Sequence, residues 1–116
     1  MIMPKDPVLL QAIGSLCNGG SNNIISSFGN GYINSSGQHI SRFGNGWINN
    51  STNEFFSKFG NGSIGSHGST LSRFGSGFLT SSNRLISPFG RGYIDQRGKT
   101  MSPFGSGLIT NMGPLL

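Results

Sequence analysis

Few residues of this 116-residue chain are of a type that does chemistry, and their spacing suits none. The carboxylates are Asp6, Glu54 and Asp95, the imidazoles His39 and His67, and the single thiol Cys17. Acid–base or nucleophilic catalysis wants a base beside an acid or nucleophile, and a metal wants Cys and His at short fixed intervals. Neither pattern occurs. Gly-x-Gly elements recur, but a phosphate loop must open a helix and carry a lysine and a hydroxyl in register, and none does. The sequence therefore implies no enzyme, metal or cofactor, and Cys17 reads as a small buried apolar side chain.

Charge is equally uninformative about a ligand. Eight basic against three acidic residues give a net charge of +5, yet only 9% of the chain is charged. That is too sparse to imply a specific nucleic-acid site. No apolar run is long enough for a transmembrane helix, so no membrane span is expected. The run from Val8 to Cys17 is short and weakly basic for a secretory signal. Gly19-Gly20 fits the end of a double-glycine leader, although Gly14 occupies a place where that leader wants an apolar residue.

The elements that must position all these residues are announced by a repeat. Phe-Gly-x-Gly occurs six times, at Phe28, Phe43, Phe59, Phe74, Phe89 and Phe104, with spacings of 15, 16, 15, 15 and 15 residues. A fixed period means one small unit copied, whose copies bury together what none buries alone. With Phe as position 1, position 6 is always aliphatic: Ile33, Ile48, Ile64, Leu79, Ile94 and Ile109. Three residues before each Phe comes a further apolar column: Ile25, Ile40, Phe56, Leu71, Ile86 and Met101, continued by Leu116. These three columns are the expected core.

Two turns separate them. The first uses paired glycines: Gly29 and Gly31, Gly44 and Gly46, Gly60 and Gly62, Gly75 and Gly77, Gly90 and Gly92, Gly105 and Gly107. The second is centred on Gly37, Gly68, Gly98 and Gly113, with Thr52 and Asn83 in the remaining copies; it absorbs the one extra residue, within Asn49 to Glu54. Two turns per repeat leave two strands of about four to six residues, and the paired glycines with Pro88 and Pro103 exclude helix. Residues 21–116 are therefore expected to form a single all-β domain, a β-solenoid of six strand–turn–strand rungs stacked in parallel. Residues 1–20 form a capping segment. There Asp6 suits a helix cap, Pro7 the first helical position, and Leu9, Leu10, Ile13 and Leu16 the helical spacing. A degenerate rung through Ile13 to Leu16 competes with that short helix, which is preferred.

Parallel rungs would place Arg42, Lys58 and Arg73 in one ladder about 4.8 Å apart. Such a ladder is a solvated face against lateral clumping, or a contact for a polyanion or anionic glycan. Exposed terminal rungs would join head to tail, giving a self-assembling structural filament, extracellular or at a cell surface. In layout this resembles curli-type functional amyloids, though without the polar positions of the curli repeat. The Phe-Gly dipeptides in polar spacers also resemble the disordered repeats of nuclear-pore proteins, which bind transport receptors. The repeat length and turn glycines resemble the trimeric shafts of adenovirus-like fibres. Small β-helical antifreeze proteins share the scale without the Thr ladders, and the pediocin-type Tyr-Gly-Asn-Gly-Val motif resembles Phe-Gly-Asn-Gly without its cysteines.

Overall fold

Each Phe-Gly-x-Gly closes a hairpin in which the Phe pairs with the second glycine, as Phe28 does with Gly31, leaving a two-residue turn. The first glycine of every copy takes φ of +57° to +59°, the backbone that a type II′ hairpin turn demands at its first position. The second glycine has a different reason. A Cβ there would lie 1.8 to 2.0 Å from a carbonyl oxygen of the next strand, for example 2.0 Å from Leu71 O at Gly62.

A computed structural model describes residues 6–17, 22–105 and 107–113. Gly19-Gly20 and Leu116 lie outside the described residues. Twelve strands follow one helix: α1 Pro7–Gly14, β1 Asn23–Phe28, β2 Gly31–Asn34, β3 His39–Phe43, β4 Gly46–Asn49, β5 Phe55–Phe59, β6 Gly62–Gly65, β7 Thr70–Phe74, β8 Gly77–Thr80, β9 Leu85–Phe89, β10 Gly92–Asp95, β11 Thr100–Phe104 and β12 Gly107–Thr110. The described residues are all-β with one short helix. The strands do not form the expected open solenoid, however: they close into an up-and-down barrel in which every neighbour is antiparallel and β1 pairs with β12.

The second turn decides between the two. Its four or five residues reverse the chain at once, so Tyr32 pairs with Ile40, eight residues on, and among the described strands no residue pairs with its equivalent one repeat later. Positive φ falls at Gly37, Gly68, Gly98 and Gly113, and at Asn83 and Asn53 in the other copies. Asn53 thus takes the place assigned above to Thr52, because the extra residue shifts the bend by one. Position 7 of the repeat, pointing inward, secures these turns. Asn34 Oδ1 accepts the Ser36 and Gln38 amide N–H groups at 2.9 Å each, and Asp95 Oδ1 accepts those of Arg97 and Lys99. Where that position is Gly65, the Glu54 carboxylate occupies the space: a Cβ on Gly65 would lie 2.5 Å from Glu54 Oε2. Glu54 belongs to the copy with the extra residue; its Oε2 fills the space there but accepts no hydrogen bond, so the Gly65 turn lacks the side-chain acceptor that Asn34 and Asp95 supply.

Pro88 and Pro103 lie beyond the last residues of their strands that pair with the preceding strand, Ile86 and Met101, so no rung of that ladder needs their missing N–H. Residues at position 8 finish the other end. Ser66 Oγ, Ser81 Oγ, Gln96 Oε1 and Asn111 Oδ1 accept the N–H of Phe55, Thr70, Leu85 and Thr100.

Twelve strands about 4.8 Å apart enclose a lumen roughly 18 Å across before tilt is counted, enough for a helix about 10 to 12 Å thick. The helix α1 occupies it. Asp6 caps it, accepting the Val8 N–H at 3.0 Å, and Pro7 opens its first turn. Val8, Leu10, Ala12 and Ile13 join one buried cluster with Ile25, Ile40, Phe56, Leu71, Ile86, Met101, Trp47, Phe78, Tyr93 and Leu108 from the inner wall. Gln11 is pinned by the Ser69 carbonyl and the Ser63 hydroxyl, and Asn34 and Asn49 hold Leu16 O and Ser15 Oγ just past its end.

Candidate functional site: the outer wall

Side chains alternate across a strand, so residues three apart point to opposite faces. Met101 and Phe104, or Ile40 and Phe43, cannot share one core. The column three before the Phe is buried inside the barrel, with Ile40, Leu71 and Met101 fully enclosed. The Phe column stands on the outer wall: Phe28, Phe43, Phe59, Phe74, Phe89 and Phe104 are 51–57% exposed, which corrects their expected burial. Position 6, from Ile33 to Ile109, shares the outer face and is half-buried. Sequence reasoning missed the inward position 5, where Trp47, Phe78, Tyr93 and Leu108 are buried. The signal was present in the alternation itself, since position 5 is opposite in face to position 6.

Phe pairs with a glycine, which offers no side chain beside it. The ring therefore reaches across toward the next odd-numbered strand: Phe28 and His39 centroids lie 5.5 Å apart, and Phe43 and Phe55 5.6 Å. The outer wall then reads, row by row, as Ile24, His39, Phe55, Thr70, Leu85 and Thr100; position 6; the serines two before each Phe; and the Phe rings. Among the described residues, no outward strand position carries Asp, Glu, Lys or Arg, and His39 is the one titratable group there. Seven phenylalanines, counting Phe55, and Ile24 are large exposed apolar side chains, all on this wall. Monomers seldom leave such surface uncovered.

Arg42, Lys58 and Arg73 face the lumen side of β3, β5 and β7, at the mouth ringed by the tight turns. Their register partners are Trp47, Ser63 and Phe78. They stand on alternate strands, about 10 Å from one to the next instead of the 4.8 Å of a parallel ladder. Arg42 Cζ lies 5.0 Å from the Trp47 ring centroid and Arg73 Cζ 5.5 Å from that of Phe78, so each guanidinium covers a buried aromatic face. Burial raises the Tyr93 hydroxyl above its ordinary range, with the nearby Arg73 charge opposing it. A shallow groove lined by Phe43, Phe55, Gly44 and Gly46 opens beside Ser57 and Lys58.

The titratable residues are dispersed. Glu54 and Asp95 lie at the opposite mouth, where Asp95 pairs with Arg97 at 3.0 Å and Glu54 lies 3.6 Å from His67. His39 is on the outer wall, and Cys17 is buried next to α1. Among the described residues no three potential metal ligands cluster. Comparison with protein-family profiles, with curated proteins and with solved structures found no match.

Proposed function

We propose that this protein is a docking module without catalysis, a plugged barrel that binds through its uncharged, phenylalanine-bearing wall. One observation carries the reading: six Phe rings more than half exposed on a wall without Asp, Glu, Lys or Arg among the described residues. A half-exposed Phe leaves roughly 100 Å² of apolar surface in water, so covering each ring contributes about 2.5 kcal/mol before the costs of association. The barrel supports this use because its rings are fixed on paired strands, not carried on loops.

The wall fits two kinds of apolar surface. A second copy is one: the wall repeats six times around the barrel, so one wall-to-wall contact can recur and build the self-assembling fibre considered above without any unpaired strand. A lipid surface is the other. The barrel cannot cross a bilayer, since its strands of four to six residues fall short of the nine to eleven a membrane strand needs, but it can lie at the boundary. The test compares Phe43→Ser/Phe59→Ser/Phe74→Ser with the native protein by light scattering and by flotation with vesicles. Loss of self-association or of flotation, with the far-UV circular dichroism retained, supports docking by the wall. Equal behaviour of the two proteins in both assays overturns it.

A further inference from the structure

Resting on the wall as the docking surface, we infer that the sector from β3 to β8 binds an anionic phospholipid bilayer, its rings entering the interface while Arg42, Lys58 and Arg73 meet headgroup phosphates. Three of the four cations at the tight-turn mouth belong to this sector, the fourth being Arg91 in the turn between β9 and β10. The residue before each Phe is basic only on β3, β5 and β7; on β1, β9 and β11 the same position is Ser27, Pro88 and Pro103. The rings that follow those cations, Phe43, Phe59 and Phe74, are 52%, 57% and 54% exposed, and Phe55 adds a fourth at 43%. A cation arc therefore borders an aromatic patch on the same strands. The one acidic residue of the sector, Glu54, is buried at the far mouth.

The geometry also sets the pose. Docking end-on would drive the tight turns, with their exposed backbone and Asn45, Asn61 and Ser76, deeper than the Phe rings, and bare backbone is not tolerated in hydrocarbon. Lying tilted on the β3–β8 side avoids this: the rings sink into the acyl boundary and the cations at the rim lie at headgroup depth. Arg and Lys snorkel in this way, with stems on apolar surface and charge at the phosphates. Cations about 10 Å apart match several headgroups better than one compact anion. A second copy suits this sector poorly, because the same sector of that copy offers these cations no accessible anion, its one carboxylate, Glu54, being buried at the far mouth.

The test uses the full-length protein with vesicles of phosphatidylcholine alone and of phosphatidylcholine with phosphatidylserine, read by flotation and tryptophan emission. Each cation near an anionic surface contributes roughly fivefold, so Arg42→Gln/Lys58→Gln/Arg73→Gln should weaken binding to the anionic vesicles on the order of 100-fold. Binding to neutral vesicles, which rests mainly on the rings, should fall by far less. Arg42→Lys/Arg73→Lys keeps the charge and should keep the anionic preference, which separates charge from any loss of the cover over Trp47 and Phe78. Phe43→Ser/Phe59→Ser/Phe74→Ser should lose both vesicle types. Equal affinity for the two vesicles, or no change in the Gln variant, overturns the bilayer inference and leaves the wall reading intact. Oligomers dissolved by the Ser variant, without vesicle binding, also overturn it, in favour of a second copy. Soluble polyphosphate bound as tightly as the vesicles, and independently of the Phe rings, overturns it too. Neither vesicle binding nor self-association overturns the inference and the wall reading together.

Discussion

The two glycines of each Phe-Gly-x-Gly look interchangeable in sequence and are not. At Gly60 the demand is conformational: φ is +59° and the space around a Cβ is open. At Gly62 it is steric, with Leu71 O 2.0 Å from a Cβ, Leu71 C and Ser72 Cα 2.9 Å away, and all three backbone atoms. Gly60→Ala should therefore cost about 1 to 2 kcal/mol, the price of a left-handed Ala. Gly62→Ala must push apart β6 and β7 and should cost more than 3 kcal/mol or prevent folding. Urea unfolding of the two variants measures the difference, and equal costs would contradict the close approach of hairpins. The need for glycine at these places is legible in the sequence, since a repeat that never varies there requires a backbone reason. Which reason applies at which glycine is not, because it depends on the neighbouring hairpin.

At the scale of elements, the two turns, the short strands and a helix before them follow from local chemistry: paired glycines, β-branched and aromatic pairs, and the Asp6-Pro7 start. How the strands face does not follow from period alone. A parallel stack and an antiparallel ring of hairpins share the same fifteen-residue repeat, and only the parity of Ile40 against Phe43 tells inner from outer. The helix illustrates a second gap. Val8, Leu10, Ala12 and Ile13 leave it no polar face apart from Gln11, which signals burial all round; a cap would need one side exposed to solvent.

The same burial fixes the behaviour of Cys17, which follows α1 and gives its Sγ–H to Ile13 O at 3.6 Å. Burial pushes its pKa from 9.0 to about 12, partly opposed by the Arg84 charge. The unfolded chain releases this proton at a lower pH than the folded one, so deprotonation favours unfolding. Stability from this source is complete below pH 9 and falls by about 1.4 kcal/mol per unit from there toward pH 12. Cys17→Ala removes the effect: the native protein should lose stability relative to the variant between pH 9 and 11, measured by urea midpoints. A constant difference across that range, or rapid alkylation of the folded protein, would show that the thiol is not enclosed beside the plug.

For the whole molecule, closure is the property that separates this barrel from any stacked array. Pairing β1 with β12 leaves none of the twelve described strands with an unsatisfied ladder, the usual template for aggregation, so the self-association proposed above would use side chains of the wall. A covalent test reaches this feature directly. Ile24 on β1 and Ile109 on β12 are register partners on the outer face, 85 residues apart in sequence. Directly opposed antiparallel residues bring their Cβ atoms to about 4.5 to 5.5 Å, within reach of a disulfide after small adjustment. In a Cys17→Ala background, Ile24→Cys/Ile109→Cys should oxidise within single molecules at low protein concentration and run as a compact monomer on a denaturing gel. Closing a loop of that length should add up to about 4 kcal/mol to stability. Cross-linked dimers and ladders in place of the monomer would place β1 against β12 of another molecule, the arrangement of a head-to-tail polymer, and would remove the physical basis for a wall that docks as one continuous surface.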